Sequence, residues 1–238
     1  MKNHLSSSNR DEGIELRMEE YGSRLIAATR ALIELADRDP ASPAYGCFFY
    51  PYWRSKTSDF ANARCQEAAY RLALAWKNDY PASDLRSNQE LLELARSAII
   101  FWTGLQHPDG SFDEWYRGEH GFAGTAFSGF AICRAFGLIR EKLSRPDGKK
   151  IIRALERTAS WLIRHDDLGK INHQAVAAAA LFSLAEILED EQYARAARKK
   201  VSGVLTRQTE EGWFPELGGV DTGYSFLTLE YLAYCYSF

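Results

Sequence analysis

An all-α domain is the fold class this sequence predicts. Three observations carry it. Apolar residues recur at helical spacing through several long stretches, Ser, Asp and Pro stand where helices should begin, and no segment alternates convincingly with a period of two.

In chain order, residues 1–13 read as a disordered polar tail and residues 14–238 as a single domain. The first helix is expected over about 14–38, with Leu25, Ala28, Leu32 and Leu35 on one face. The segment DPASPAYGCFFYPYWRSKTSD then interrupts with three prolines and a cluster of aromatics. A second helix is expected over about 60–78. The third follows a capping box in which Ser87 and Glu90 precede Leu91, Leu94, Ala98 and Phe101. A fourth is expected over about 122–141, and a fifth after SRPD, where Ser, an early Pro and an Asp all suit a helix N-terminus. Helix six, about 172–188, contains AVAAAALFSLAEIL, a surface small enough for close approach by its neighbours. Helix seven is expected over about 190–208. The eighth begins at Asp221, a good N-cap, with Tyr224, Leu227, Tyr231 and Cys235 along one stripe.

Composition narrows the function classes. Hydrophobic residues make up 46% of the chain and charged residues 26%, as in an ordinary globular domain. The net charge of -3 comes from 29 cations and 32 anions dispersed along the chain, so the basic stripe of a nucleic-acid binder is absent. The densest basic run, Arg195, Arg198, Lys199 and Lys200, reads as a solvated helix face. No apolar run approaches the roughly 18 residues of a membrane span, and MKNHLSSSNRDEG has no secretory core. Cys47, Cys65, Cys133 and Cys235 lie far apart without metal-ligand spacing, so free buried thiols and a cytoplasmic location are expected. No metal and no cofactor is called for. DGSFDE opens like some Ca²⁺ loops, but His120 falls where the closing Glu should stand.

An internal repeat links the helices. LQHPDGSFDE (105–114) can be laid over TRQTEEGWFPE (206–216). Gln106 and Gln208 each stand four residues before Gly110 and Gly212. Phe112 and Phe214 follow, then Glu114 and Glu216. The expected device is a left-handed Gly at a helix end, an aromatic turned into the core, and an acid facing a helix N-terminus. Its recurrence at alternate helix ends implies helical hairpins, about four of them, arranged as an α/α toroid or partial toroid; an α-solenoid or helical bundle is the competing architecture.

The Q-x-x-x-G-x-[FW] pattern resembles the QW-type repeat of the squalene and terpene cyclases and their prenyltransferase relatives, which are α/α toroids. The D-x-D-D acid motif of those cyclases is missing; RHDDLGK (164–170) has only adjacent aspartates, and His165 and Asp166 read as helix-terminus residues. From about residue 90 onward, PDGSFDEWYRGEHGFAGTAFSGFAI, INHQAVAAAALFSLAEIL and EEGWFPELGGVDTGYSFLTLEYLA resemble the toroidal domain of heparinase II/III-like and alginate-lyase-like polysaccharide lyases.

That resemblance implies a cleft for an oligosaccharide or a uronate-containing polysaccharide. Asn172, His173 and Tyr224 are its catalytic candidates, and Trp213, Glu216, Trp115, Tyr116 and Asp221 its substrate-binding candidates. Asn172 would press on the uronate carboxylate, His173 would act as base or neutraliser, and Tyr224 would pass a proton to the leaving oxygen. Members of that family add a β-sandwich domain, so a second chain or such a domain is expected to complete the site. Read from the residues alone, Asn172 also suits a helix N-cap, His173 an exposed helix start, and Tyr224 a core stripe. Two further readings stand beside the lyase: a non-catalytic helical scaffold of a polysaccharide pathway, and a glycoside hydrolase pairing Asp113 or Glu114 with Glu216.

Overall fold

The computed structural model describes residues 7–80 and 83–238. Among them are nine α-helices: α1 (Ser7–Leu35), α2 (Tyr50–Trp53), α3 (Ala68–Lys77), α4 (Gln89–Leu105), α5 (Phe122–Ile139), α6 (Arg145–Arg164), α7 (Ile171–Leu188), α8 (Glu191–Leu205) and α9 (Thr222–Cys235). Of the polar stretch expected over 1–13, residues 1–6 lie outside the described residues and the rest already belongs to α1. Among the described residues the protein is all-α apart from one two-residue antiparallel pair, β1 (Pro215–Glu216) with β2 (Gly219–Val220), and a single antiparallel bridge between Phe112 and Gly121.

Most starts follow from local chemistry. Ser144 accepts from the Asp147 N–H, with Pro146 inside the first turn of α6, and Asp221 accepts from the Tyr224 N–H at α9. The start of α4 differs from the expected capping box. Ser87 sits at φ +57°, and the cap is Asn88, whose side chain accepts from the Leu91 N–H at 2.9 Å. Asn is as good a cap as Ser, so the register moved by one residue.

Helices α3, α5, α7 and α9 pack side by side in that order, with α4, α6 and α8 behind them and α1 against α3. The small face of α7 works as the sequence suggests: Ala175 and the run Ala177 to Ala180 have no exposed surface. α5 and α7 are, against expectation, long and apolar enough to cross a membrane by length and composition. Yet 67% and 78% of their apolar windows are buried among neighbouring helices, which accounts for that composition within the fold.

The repeat is real in the geometry. The His107 N–H bonds the Ser111 carbonyl and the Gly110 N–H the His107 carbonyl, at 2.9 and 3.0 Å; Thr209 with Trp213 and Gly212 with Thr209 match them, both at 2.9 Å. Gly110 and Gly212 have φ +101° and +92°, Phe112 and Phe214 are fully buried, and Gln106 and Gln208 each donate to the carbonyl of their own Gly. A further copy, invisible as a sequence repeat, follows α1. The Asp37 N–H bonds the Cys47 carbonyl, the Gly46 N–H bonds the Asp37 carbonyl, and Gly46 has φ +86°, all with a longer excursion between them. Its glutamine comes from elsewhere in the chain: Gln66 donates to the Gly46 carbonyl at 2.8 Å.

Candidate functional site

The glycine loops place the starts of the inner helices together. The Ala63 N–H bonds the Asp113 carbonyl, so the loop before α5 touches the 3₁₀ turn (Ala63–Glu67) that leads into α3. Phe122 at the start of α5 faces His173 at the start of α7, ring centroids 6.4 Å apart and nearly parallel. The loop before α9 reaches α7 through Glu216. Helix N-termini carry partial positive charge, and gathering several at one end favours anions there.

Asn172 and Glu216 meet directly. Glu216 Oε1 accepts from the Asn172 main-chain N–H at 2.6 Å and from Nδ2 at 2.8 Å. The N-cap of α7 is Lys170, which offers no side-chain bond, so Glu216, 44 residues downstream, takes the capping role that the sequence suggested for Asn172. Both residues are buried, at 1% and 3% exposure, and neither the amide oxygen of Asn172, Oδ1, nor the second carboxylate oxygen of Glu216, Oε2, has a hydrogen-bond partner. Buried polar atoms without partners cost about 1–3 kcal/mol each, and functional sites are a common place to find them.

His173 is largely covered, its side chain 12% exposed, in contrast to the exposed position a helix start suggests. Its ring lies edge-on to Phe127 at 5.9 Å, and Nδ1 bonds Asp167 Oδ2 at 2.7 Å. Burial lowers the His173 pKa below its ordinary value and outweighs the Asp167 bond, which pulls the other way. The imidazole is therefore held neutral, with Nδ1–H given to Asp167 and Nε2 left as the acceptor. Asp167 is a partner the sequence hid, because DDLG reads as a simple helix end. Next to it, Asp166 pairs with Lys200 at 2.6 Å, and Lys200 also donates to the His165 carbonyl. Lys200 is thus only 8% exposed and turned inward, unlike the rest of its basic run.

Glu114 holds the position of Glu216 in the earlier copy of the repeat, with a different partner. It is buried, Oε1 accepts from Arg64 at 3.2 Å, and Oε2 has no partner. Arg64 also binds Glu67 at 2.7 Å, and its guanidinium carbon lies over the Phe127 ring, 4.0 Å from the centroid. Burial raises the carboxyl pKa values of Glu114 and Glu67 despite the guanidinium between them. The positive charge of Lys170 bears on both Glu114 and His173.

Beyond Phe127 opens a cavity of about 660 Å³. Arg64, Glu67, Phe127, Phe130 and Tyr231 line one side, and apolar residues of α1, Leu25 and Leu32 among them, line the other. Tyr231 packs edge-on to Phe127 and Phe130 at 5.7 and 5.2 Å, and burial pushes its phenol pKa up.

The remaining candidates divide. Tyr224 is 42% exposed at the first turn of α9, whereas Leu227, Tyr231 and Cys235 do pack against the core. Asp221 is spent on capping α9. Trp213 is half-buried and bonds Glu211. Trp115 and Tyr116 are 74% and 62% exposed on the loop before α5. That loop is pinned by Glu119, which accepts from the Glu114 and Trp115 N–H groups, and by Asp113, which accepts from those of Gly118 and His120. Asp109, Ser111 and Asp113 spend their oxygens inside the loop: Asp109 and Ser111 on His120, Asp113 on His107. Burial opposes ionisation of Asp109, but hydrogen bonds from the Ser111 hydroxyl and N–H, with the one to His120, hold its pKa down at about 2. Among the described residues no group of three or more His, Cys, Asp or Glu side chains is placed to hold a metal ion.

Arg64, Asp167, Lys170 and Tyr231 were not found as site residues from the sequence, whereas Glu114 was, as a candidate acid. Its signal was its equivalence to Glu216 in the repeat. A protein-family model described as the ulvan lyase N-terminal domain matches residues 30–219, most of the chain. No curated protein and no solved structure matches.

Proposed function

The chain belongs to the ulvan lyase N-terminal domain family, and from that premise we propose that it cleaves a uronate-containing polysaccharide by β-elimination. Membership makes it a polysaccharide lyase-like, carbohydrate-active protein. The reading of its helical hairpins as part of an α/α toroid, of the kind found in heparinase II/III-like lyases, belongs to this proposal as well.

The single observation that supports a site at the inner-helix starts is the Asn172–Glu216 joint, which brings two segments 44 residues apart into contact beside a His–Asp pair. The elimination would run as follows. Neutral His173 Nε2 takes the proton α to the uronate carboxylate, and the C–H electron pair becomes the new C4–C5 double bond. The C4–O bond then breaks, and the departing oxygen takes a proton. Charge building on the carboxylate is met by Lys170 and the positive helix N-termini. Asn172, expected in that role from the sequence, gives its main-chain N–H and one side-chain N–H to Glu216 and acts instead by holding the helix start.

Tyr231 is better placed than Tyr224 as the proton donor. Its phenol stays protonated at neutral pH because burial raises its pKa, and it packs on the same Phe127 ring as His173. Tyr224, Trp213, Trp115 and Tyr116 then belong to the rim, where exposed aromatic faces can stack on sugar rings. Elimination is favoured over hydrolysis by paired acids because Glu216 Oε1 is held by two N–H donors and the carboxylate is buried.

Incubation of the purified protein with ulvan, alginate, heparan and hyaluronan tests the reading. Ultraviolet absorbance from an unsaturated uronate should rise with at least one of them. A flat trace across the panel, with glycan binding intact, would favour the scaffold reading in its place.

A further inference from the structure

Lys200 is out of place for a residue of a basic run. Arg198 and Lys199 are exposed on α8, whereas the Lys200 side chain is 7% exposed and turned toward the loop between α6 and α7. It gives one donor to the His165 carbonyl at 2.9 Å and one to Asp166 Oδ1 at 2.6 Å. Arg207, just past α8, donates to the Leu168 carbonyl of the same loop at 2.6 Å. Burial lowers the Lys200 pKa, and the Asp166 bond opposes that fall. A buried ion pair of this kind is weak support for stability, because a well-packed apolar side chain usually does as well. What it does supply is a fixed position for the loop.

That loop carries Asp167, and both oxygens of Asp167 are engaged. Oδ1 accepts from the Gly169 N–H at 3.2 Å, and Oδ2 bonds His173 Nδ1 at 2.7 Å. The main chain of Asp167 is held as well. The Gln174 amide suits its neighbours in one orientation, its oxygen accepting the Asp167 N–H at 2.6 Å and its nitrogen donating to Asp166 Oδ1 at 3.2 Å. Asp166 Oδ1 is therefore the point shared by Lys200 on α8 and Gln174 on α7. Gln174 directly follows His173, so one short network fixes both the carboxylate and the turn of helix that carries the ring. Phe122 lies nearly parallel to the His173 ring, and Lys200 Nζ stands 5.5 Å from the Phe122 centroid. Lys170 and Glu216 are the other charges that bear on His173.

We infer that Lys200 is a positioning residue for His173: by holding Asp166 and the end of α6, it keeps Asp167 where it fixes the imidazole proton on Nδ1 and leaves Nε2 free. The inference rests on the reading of His173 as the base. A base that takes a proton at Nε2 must not already carry one there, and a neutral imidazole chooses between two tautomers. With Asp167 on Nδ1 the choice is made before substrate arrives, and the imidazolium formed by proton transfer meets the Asp167 charge. Lys200 touches no reacting atom and acts through the loop. A merely structural Lys200 would stabilise the fold and leave the tautomer alone.

Nitrogen NMR of protein labelled in its imidazole rings reads the tautomer with no substrate present, the His173 signals being assigned by their loss in His173→Gln. Wild-type His173 should be protonated on Nδ1 alone. Lys200→Met should give a mixture of Nδ1–H and Nε2–H forms with unchanged helical circular dichroism. Lys199→Met removes the same charge from an exposed neighbour and should keep the wild-type pattern. Asp166→Ala, at a side chain 55% exposed, cuts the same tether and should also give the mixture; it is the deciding variant where Lys200→Met does not fold. On a glycan that the wild type cleaves, Lys200→Met should lower kcat about tenfold and leave KM within about twofold. A wild type that already shows both tautomers, or a wild-type pattern retained in folded Lys200→Met or Asp166→Ala, would overturn the inference. The predicted tautomer change in a protein that cleaves no glycan would overturn the base reading and uphold the placement of the ring.

Discussion

One oxygen of Glu216 holds both the main-chain N–H and the side-chain amide of Asn172, at 2.6 and 2.8 Å, across a separation of 44 residues. A loop that would otherwise be a surface excursion is thereby fastened to the first turn of the most buried helix. Replacing Glu216 by Ala removes a charged acceptor and strands two buried donors, which should cost about 2–3 kcal/mol. Gln keeps an acceptor oxygen at the same reach and should cost less, roughly 1 kcal/mol. Urea unfolding of the two variants checks the order; equal losses would mean that the bonds contribute little.

The glycines of the repeat give a second contrast. Gly110→Ala places a methyl group against the α6 backbone at 2.3 Å and forces a left-handed φ on Ala, so a loss of about 3 kcal/mol or more is expected. Gly212→Ala carries only the conformational cost, about 1 kcal/mol, because its surroundings are open. Thermal unfolding of both variants should reproduce that order.

His173 predicts a pH dependence. Its folded pKa lies below the ordinary value near 6.5, so the unfolded chain binds the proton more readily. Its contribution to stability is therefore present above about pH 6.5 and lost as pH falls through and below that value. His173→Gln should flatten this part of the stability profile. A profile unchanged by the substitution would show that the imidazole is solvated in the folded protein.

Much of the fold was legible because helix periodicity and cap chemistry are local properties. Ser144 and Asp221 cap α6 and α9 as read, and α7 runs within one residue of its expected start. The repeat of Gln, Gly, Phe and Glu was legible because the same backbone problem was solved twice with the same residues. Its copy at Gly46 escaped because a longer excursion and a glutamine borrowed from position 66 break the spacing. The site was legible in part. Asn172 and His173 announce themselves by residue type at a helix start and Glu216 by its place in the repeat, whereas Arg64 and Tyr231 join the cavity through tertiary packing on Phe127, which no spacing reveals. Lys200 was misread for the same reason: its run is basic, but only its own side chain turns toward the end of α6.

Arg64 supplies a further prediction. Its guanidinium joins Glu67 and Glu114 and covers Phe127, so Arg64→Met leaves two carboxyls without their cation. Their pKa values, already raised by burial, should rise further, and stability should fall by about 2–4 kcal/mol at neutral pH. Much of that loss should be recovered toward pH 4 as both groups protonate. A loss that stays constant with pH would assign the role of Arg64 to packing alone.

The most direct test of the site is the release of unsaturated uronate from ulvan by the wild type, His173→Ala and Tyr231→Phe, each confirmed as folded by circular dichroism. The account predicts product with the wild type, a loss of about a hundredfold or more when the base or the proton donor is removed, and glycan binding retained in both variants. Full turnover by folded His173→Ala would contradict it.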